Sequence, residues 1–473
     1  MQSNFCLAIE VSELHECPGS PHSSPGASQR KDSMARLPIA RSSVENAIFV
    51  AVALVLSSAL VRVLSTGNTD LVTAGDRRFE FVLGLLYFSV LLIGSANLKR
   101  TVLSGLHTPA LIALLLLASV SCMWAELPGL VLRRTVGLAG ATLFGLVLAS
   151  RLDFADQLAL LRRVVRIVTT LTFAAWAVSP LVGSNLVTGE STTINGYQVQ
   201  IEAGAWRGIF VHKNDLGAMM ALAILVEWHL PADTTLSKVA KALWVSAYTL
   251  LLLFSHSVTS LVSVGLAILL MFTFKTFRHQ YRVIVPVLLL VTIFSGTLIA
   301  LNATSVTGAL GRSEDLSGRA DLWRWVVVMI LKKPFLGYGF SGFWKGASDQ
   351  SALVESRIGW SPVYAHNGYL EILLSLGIAG LLLFLWFAGT GITRAVVRAK
   401  AAQSVQDLWP LAFLTFFLIH NLGECTILWQ NSLEWAIAVA TVVGSDPRVQ
   451  ANLEADVDSS KDAALLDVQP ECP

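Results

Sequence analysis

A histidine stands in the run Tyr364-Ala365-His366-Asn367-Gly368-Tyr369-Leu370-Glu371, at the mouth of a long apolar segment. An imidazole there takes up a proton near neutral pH, so His366 is the leading candidate for a general base. A lone loop histidine is more often a surface residue, so the case rests on its neighbours. Arg207 sits in Trp206-Arg207-Gly208-Ile209-Phe210-Val211-His212-Lys213-Asn214-Asp215, and Arg319 in Ser317-Gly318-Arg319-Ala320-Asp321-Leu322-Trp323. Arg133 and Arg134 lie inside the end of another apolar segment, where a charge is costly and commonly functional. Four such cations suit a phosphate or pyrophosphate group, with helix starts at Asn214, Ser317 and Asn367 adding backbone N–H donors. The alternative, snorkelling to lipid phosphates, weighs evenly for Arg133 and Arg134 and less for Arg207 and Arg319. His212, His256 and His420 also fall at helix ends, and His420 with Asn421 and Glu424 competes with His366 for the base. No HExxH, paired acidic metal motif or Walker loop is present, so neither a metal-dependent mechanism, a cofactor nor an ATP motor is indicated.

The elements that must position these residues are membrane helices. Of 473 residues 54% are hydrophobic and 14% charged, against about 25% charged in a soluble domain. The mean hydropathy is +0.63, and the net charge of +2 is spread through loops, with no patch for nucleic acid. Cys6, Cys17, Cys122, Cys425 and Cys472 show no paired spacing, so neither a disulfide framework nor a zinc site is expected. Apolar segments near the spanning length of about 20 residues lie at 46–63, 79–96, 108–124, 130–149, 164–182, 215–230, 239–255, 258–274, 283–301, 367–388, 408–422 and 427–444. They predict an all-α polytopic membrane protein of about a dozen transmembrane helices. With the N-terminus inside, every predicted inner loop is basic: Lys99–Arg100, Arg151 with Arg162 and Arg163, Lys238 with Lys241, Lys275 with Arg278 and Arg282, and Arg394 with Arg398 and Lys400.

His366 and the candidate cations then fall on the outer side. Two outer connections are long, 183–214 and 302–365, and a loop of the second length is usually functional. The second should hold an amphipathic helix with Leu322, Trp325, Val326, Met329 and Ile330 on its apolar face, Ser317 as N-cap and Asp321 in its first turn. Lys332-Lys333-Pro334 should end it, and Gly337-Tyr338-Gly339 should turn the chain back. Residues 1–41 and 446–473 are polar and expected to be disordered tails around a membrane body over 42–445, with Met34 as an alternative start.

Four short motifs, in order, resemble the bacterial O-antigen ligase/polymerase superfamily. They are Gly208-Ile-Phe-Val-His-Lys-Asn-Asp-Leu-Gly217, Ser317-Gly-Arg-Ala-Asp-Leu-Trp323, Pro334-Phe-Leu-Gly-Tyr-Gly-Phe-Ser-Gly-Phe-Trp344 and His366-Asn-Gly-Tyr-Leu370. The Gly-Phe-Ser-Gly-Phe-Trp form is most similar to the exopolysaccharide polymerase branch. The resemblance implies a GT-C-like fold with a large periplasmic loop. It also implies a metal-independent, inverting glycosyltransferase in the bacterial inner membrane that uses undecaprenyl-pyrophosphate-linked glycans. His366 would activate the acceptor hydroxyl, and Arg207 and Arg319 would hold the pyrophosphate. Lys213 would assist that binding or serve the structure. Polymerase and ligase use the same parts, so the acceptor stays open between a second lipid-linked repeat unit and a lipid A core. Polysaccharide assembly proteins would be further partners. The rival from another class is an anion or polysaccharide transporter, which calls for midplane charges and broken helices in repeated halves.

Overall fold

The structure is a computed structural model that describes residues 43–60, 77–182, 192–194, 197–199, 204–276, 280, 315–344, 349–453 and 455. Its helices in chain order are α1 (Ser43–Leu56), α2 (Arg77–Ser95), α3 (Leu98–Leu106), α4 (Pro109–Val120), α5 (Pro128–Arg151) and α6 (Phe154–Val182). A two-stranded antiparallel hairpin, β1 (Thr192–Ile194) and β2 (Tyr197–Val199), pairs Thr192 with Val199. Then come α7 (Lys213–Trp228), α8 (Thr235–Phe254), α9 (Val258–Thr276), α10 (Asp315–Lys332) and α11 (Asp349–Ile358), followed by α12 (Gly368–Lys400), α13 (Trp409–His420) and α14 (Leu433–Gly444). The body is all-helical, as expected, with the hairpin in the first long connection as the one addition among the described residues.

By length and composition α5, α8, α9 and α12 can each cross a bilayer, and α2 with α3 makes a fifth span bent by 98°. The remaining expected spans fall on the shorter apolar helices α1, α4, α13 and α14, on α6 and α7, or, for 283–301, outside the described residues. The residues that start these helices are legible in the sequence. Pro128 opens α5 where a missing N–H costs nothing. Thr234 and Ser237 form a capping box on α8, and Asn367 caps α12 by accepting from Tyr369 N and Leu370 N. The tight link Ser255-His256-Ser257 joins α8 to α9, with His256 at positive φ. Packing is densest between α5 and α14, where a Cβ on Gly145 would meet the Ala436 carbonyl at 2.5 Å. Only a glycine lets the two backbones come that close.

α12 is broken. Gly377 has φ +64, and the two halves of the helix meet there. A break leaves backbone groups that lipid cannot satisfy, and the chain following α10 satisfies them. Ile378 N donates to Pro334 O and Ala379 N to Phe335 O, while Tyr338 N donates to Leu374 O and Gly339 N to Ser375 O. The Pro334–Gly339 turn is therefore a plug in a helix gap, which is more than the simple reversal expected of it.

α10 starts at Asp315, so Ser317 lies inside the helix instead of capping it, and Arg319 falls in its second turn. Asp315, the first residue of the helix, suits that earlier start. The expected apolar face is present: Leu322, Val326, Met329 and Ile330 are buried with Tyr338, Phe343, Trp344, Val354, Ala365 and Leu374. It packs on neighbouring protein. Past 445 the chain stays packed, since 447–453 is helical and Val449 and Leu453 are buried. The proposed tails over 1–41 and beyond 455, and the alternative start at Met34, lie outside the described residues.

Candidate functional site

The site is assembled where the expected outer ends of α7, α10, α12 and α13 meet. Its framework is the turn after α13. Asn421 fastens that turn by accepting from Thr426 N and Ile427 N at 2.8 and 3.0 Å, with its amide donating to Phe417 O. Gly368 N donates to Asn421 O at 2.8 Å, and Asn367 Nδ2 to Leu422 O at 3.0 Å, so the start of α12 is tied to the same turn. A Cβ on Gly368 would stand 2.5 Å from Asn421 Oδ1, which explains the glycine in the His366-Asn367-Gly368 run.

His366 is presented just before this joint with φ +50, a left-handed conformation costly for a residue other than glycine. Ala365 beside it is clamped on both backbone groups: its N–H donates to Glu371 Oε2 at 2.8 Å, and its carbonyl accepts from Trp323 Nε1 at 2.8 Å. Glu371 also accepts from Trp344 Nε1 at 2.9 Å. The imidazole lies against Tyr364 at 4.3 Å between ring centroids and against Trp360 at 6.0 Å. Tyr364 in turn packs edge-on against Trp429.

Glu424 is the centre of the cluster. Its Oε1 accepts from Asn214 Nδ2 at 2.6 Å and from Arg319 Nη2 at 3.2 Å, while Arg319 Nη1 donates to Gly423 O at 2.9 Å. Its Oε2 stands 3.9 Å from His366 Nδ1, and all three side chains are largely buried. Burial opposes the charge on Glu424, yet Arg319, then His366 and His420, hold its carboxyl well below the usual carboxylate range. A buried carboxylate with this many donors stays ionised. His212 caps α7 by accepting from Asn214 N at 3.2 Å. Burial first, and the charges of Arg319 and Lys213 against it, push its imidazole down to about 4 despite Glu424 and with His366 nearby. His212 is therefore neutral at neutral pH.

The other expected residues are placed differently. Lys213 is buried in the first turn of α7 next to this cluster. Arg207 sits in the adjoining turn, closed by Phe210 N donating to Arg207 O, beside the stacked rings of Trp176 and Trp206 with Phe254 tilted against Trp206. Arg134 is buried and donates to Ser341 O, so it braces the stretch after the plug, and it lies near Glu371. Arg133 pairs with Glu80 at 3.3 Å on a half-exposed surface. His420, the rival base, is buried with Nε2 3.3 Å from Ser260 Oγ, behind the turn that carries Glu424. Thus the two competing readings of the sequence, His366 with Arg319 and His420 with Glu424, describe parts of one cluster. Among the described residues no group of three or more His, Cys, Asp and Glu side chains is arranged to hold a metal ion.

At the start of the broken helix α12 a histidine and an arginine thus share one buried carboxylate. Over residues 242–385, which carry Arg319, the plug and His366, the chain matches the family model described as O-antigen ligase. A Rickettsia conorii protein named as a polysaccharide ligase is 27% identical over 128 residues, 26% of this chain and 30% of that protein. The exopolysaccharide production protein ExoQ of Rhizobium meliloti is 27% identical over 197 residues, 37% of this chain and 43% of that protein. A polysaccharide ligase by name from Rickettsia prowazekii is 37% identical over 70 residues, 14% and 17% of the two chains. The matched stretches thus span less than half the length of these relatives. The superfamily resemblance drawn from the four motifs agrees with these matches.

Proposed function

We propose that the protein is a glycosyltransferase that moves saccharides from an undecaprenyl-pyrophosphate carrier onto a glycan acceptor, polymerising exopolysaccharide or O-antigen repeat units. The observation that carries this reading is the convergence of His366 and Arg319 on Glu424, with both His366 and Arg319 inside the O-antigen ligase stretch. With Nδ1 turned to Glu424, Nε2 of His366 is the nitrogen that takes the acceptor hydroxyl proton. The acceptor oxygen forms a bond to the anomeric carbon, and the bond from that carbon to the phosphate oxygen breaks. Its electron pair leaves on the lipid pyrophosphate, whose charge Arg319 neutralises in a site shielded from water. One displacement inverts the sugar, and no step calls for a metal. Arg207 and Lys213, next to this cluster in sequence and fold, would extend the anion site along the carrier, whereas Arg133 and Arg134, engaged elsewhere, would act on it only at a distance.

The site would face the periplasm of a bacterial inner membrane, with the carrier arriving through the bilayer. The Gly-Phe-Ser-Gly-Phe-Trp form over 339–344, most similar to the exopolysaccharide polymerase branch, tips this reading towards polymerase over ligase. The transporter reading would draw on the broken helix, but Ile378 N, Ala379 N, Leu374 O and Ser375 O at its gap are already paired with the protein's own Pro334–Gly339 backbone. A strain lacking the protein tests the assignment through its glycans. Single repeat units without polymer would support a polymerase; free lipid-linked polymer with no transfer would make it a ligase. Unchanged glycans on restoring either an empty vector or the wild-type gene would contradict both.

A further inference from the structure

We propose that Glu424 couples donor binding to the base: it is shared between Arg319 and His366, and passes from the first to the second when Arg319 takes up the pyrophosphate. This rests on the roles proposed above for Arg319 and His366. The two carboxylate oxygens are used unequally. Oε1 is committed to Arg319 and Asn214, whereas Oε2 lies 3.9 Å from His366 Nδ1, beyond hydrogen-bond length but within ion-pair reach. A small rotation of the carboxylate closes that gap, and Arg319 is what opposes it. Guanidinium binds phosphate oxygens bidentately and as strongly as carboxylate, so a pyrophosphate draws Arg319 away from Glu424. Asn214 and the Asn421-fastened turn keep the carboxylate in place as its charge turns to His366.

The consequence is a reciprocal coupling. A donor on Arg319 makes His366 a stronger base, and a protonated His366 draws Glu424 away and leaves Arg319 more positive as the pyrophosphate departs. The groups facing His366 and Glu424 from each packed element are His212, Lys213 and Asp215 at the start of α7, and Arg319 on α10. Tyr364 does so from its own loop, and His420 with Cys425 from around the α13 turn. All of them remain in Glu424→Gln, so that variant removes the shared charge alone.

The full chain in lipid nanodiscs allows the test without turnover. Diethyl pyrocarbonate modifies neutral imidazole, and peptide-resolved mass spectrometry follows His366 across pH with and without inorganic pyrophosphate. In the wild type pyrophosphate should raise the titration midpoint by about one unit, a tenfold change in the proton equilibrium. In Glu424→Gln the midpoint should start lower and move by less than half as much. Equal shifts in both proteins, or none in the wild type, would overturn the coupling. If Glu424→Gln does not fold, Arg319→Gln carries the test: its midpoint should be raised already and should not respond to pyrophosphate, and a wild-type response would overturn the proposal. In transfer assays Glu424→Gln should lose about 10²-fold in kcat while donor KM falls, since Arg319 no longer leaves a carboxylate to take the pyrophosphate, and a raised KM with kcat unchanged would contradict the role. A wild type that binds pyrophosphate with the predicted shift but transfers no sugar would refute the functional reading and leave the coupling standing.

Discussion

At the scale of single residues the site is a charge balance among Arg319, Glu424 and His366, with neutral His212 beside it. Its pH response follows from sign. His212 is held at about 4 against an ordinary value of 6.5, so the folded protein binds this proton less readily than the unfolded chain. Its contribution to stability is complete above pH 6.5 and is lost as pH falls toward 4. Glu424, depressed by Arg319 and its neighbours, likewise contributes above the ordinary carboxylate value and loses that contribution only in stronger acid. Thermal unfolding in nanodiscs should therefore show a midpoint that drops between pH 6.5 and 4, and His212→Gln should flatten that drop. An identical pH profile for the variant would contradict the burial of a neutral imidazole. His366 and Arg319 were legible in the sequence because their residue types and helix-end positions are chemical signals on their own. Glu424 was visible only as part of a rival cluster, since its contact with Arg319 bridges 105 positions and no spacing rule links them. The partners of Arg134 were hidden for the same reason: its contact with Ser341 bridges 207 positions.

At the scale of elements the decisive device is the break in α12. Continuous apolar composition over 367–388 reads as one unbroken span, and an isolated glycine in such a run does not announce a gap. The signal lay elsewhere, in Pro334-Phe335-Leu336-Gly337-Tyr338-Gly339, whose two glycines take φ +64 and +99 so that the turn can enter the gap. The break aims the first half of α12, with His366 at its mouth, while Arg134 and Glu371 brace the plug and the His366 loop from either side. Gly377→Ala should be strongly destabilising. A left-handed conformation alone costs about 1–2 kcal/mol for an L-residue, and the added Cβ would run into the Phe335 backbone. Its unfolding temperature should fall well below wild type, and transfer should fall with it. An unchanged melting curve would mean that the two halves can re-form one helix. Glu371→Gln, which keeps the volume but weakens the hold on Ala365 N and Trp344 Nε1, should lower kcat more than it lowers the melting temperature.

At the scale of the whole molecule the charged contacts fall into two separate sets. Groups expected inside meet one another: Arg394 with His107 O and Asp446, Arg151 with Glu45, Arg166 with Glu227, and Arg398 with Asp407. Groups expected outside do the same in the His366 cluster and in the Arg133–Glu80 pair. The number of spans was less legible, because short apolar helices such as α13 and α14 are apolar enough to look like spans and 12 residues long. In a background without the five native cysteines, Ser356→Cys should react with a membrane-impermeant maleimide in cells with a permeabilised outer membrane. Asp233→Cys should react only after the inner membrane is opened; the reverse pattern would invert the topology. We propose that His366 and Arg319 serve the transfer of a sugar from a lipid pyrophosphate. This is tested most directly by supplying purified protein with a lipid-linked repeat unit and measuring product and released lipid pyrophosphate. The wild type should form both with chelator present, and His366→Ala and Arg319→Ala should each fall by about 10²-fold or more. Full transfer by both variants would contradict the account.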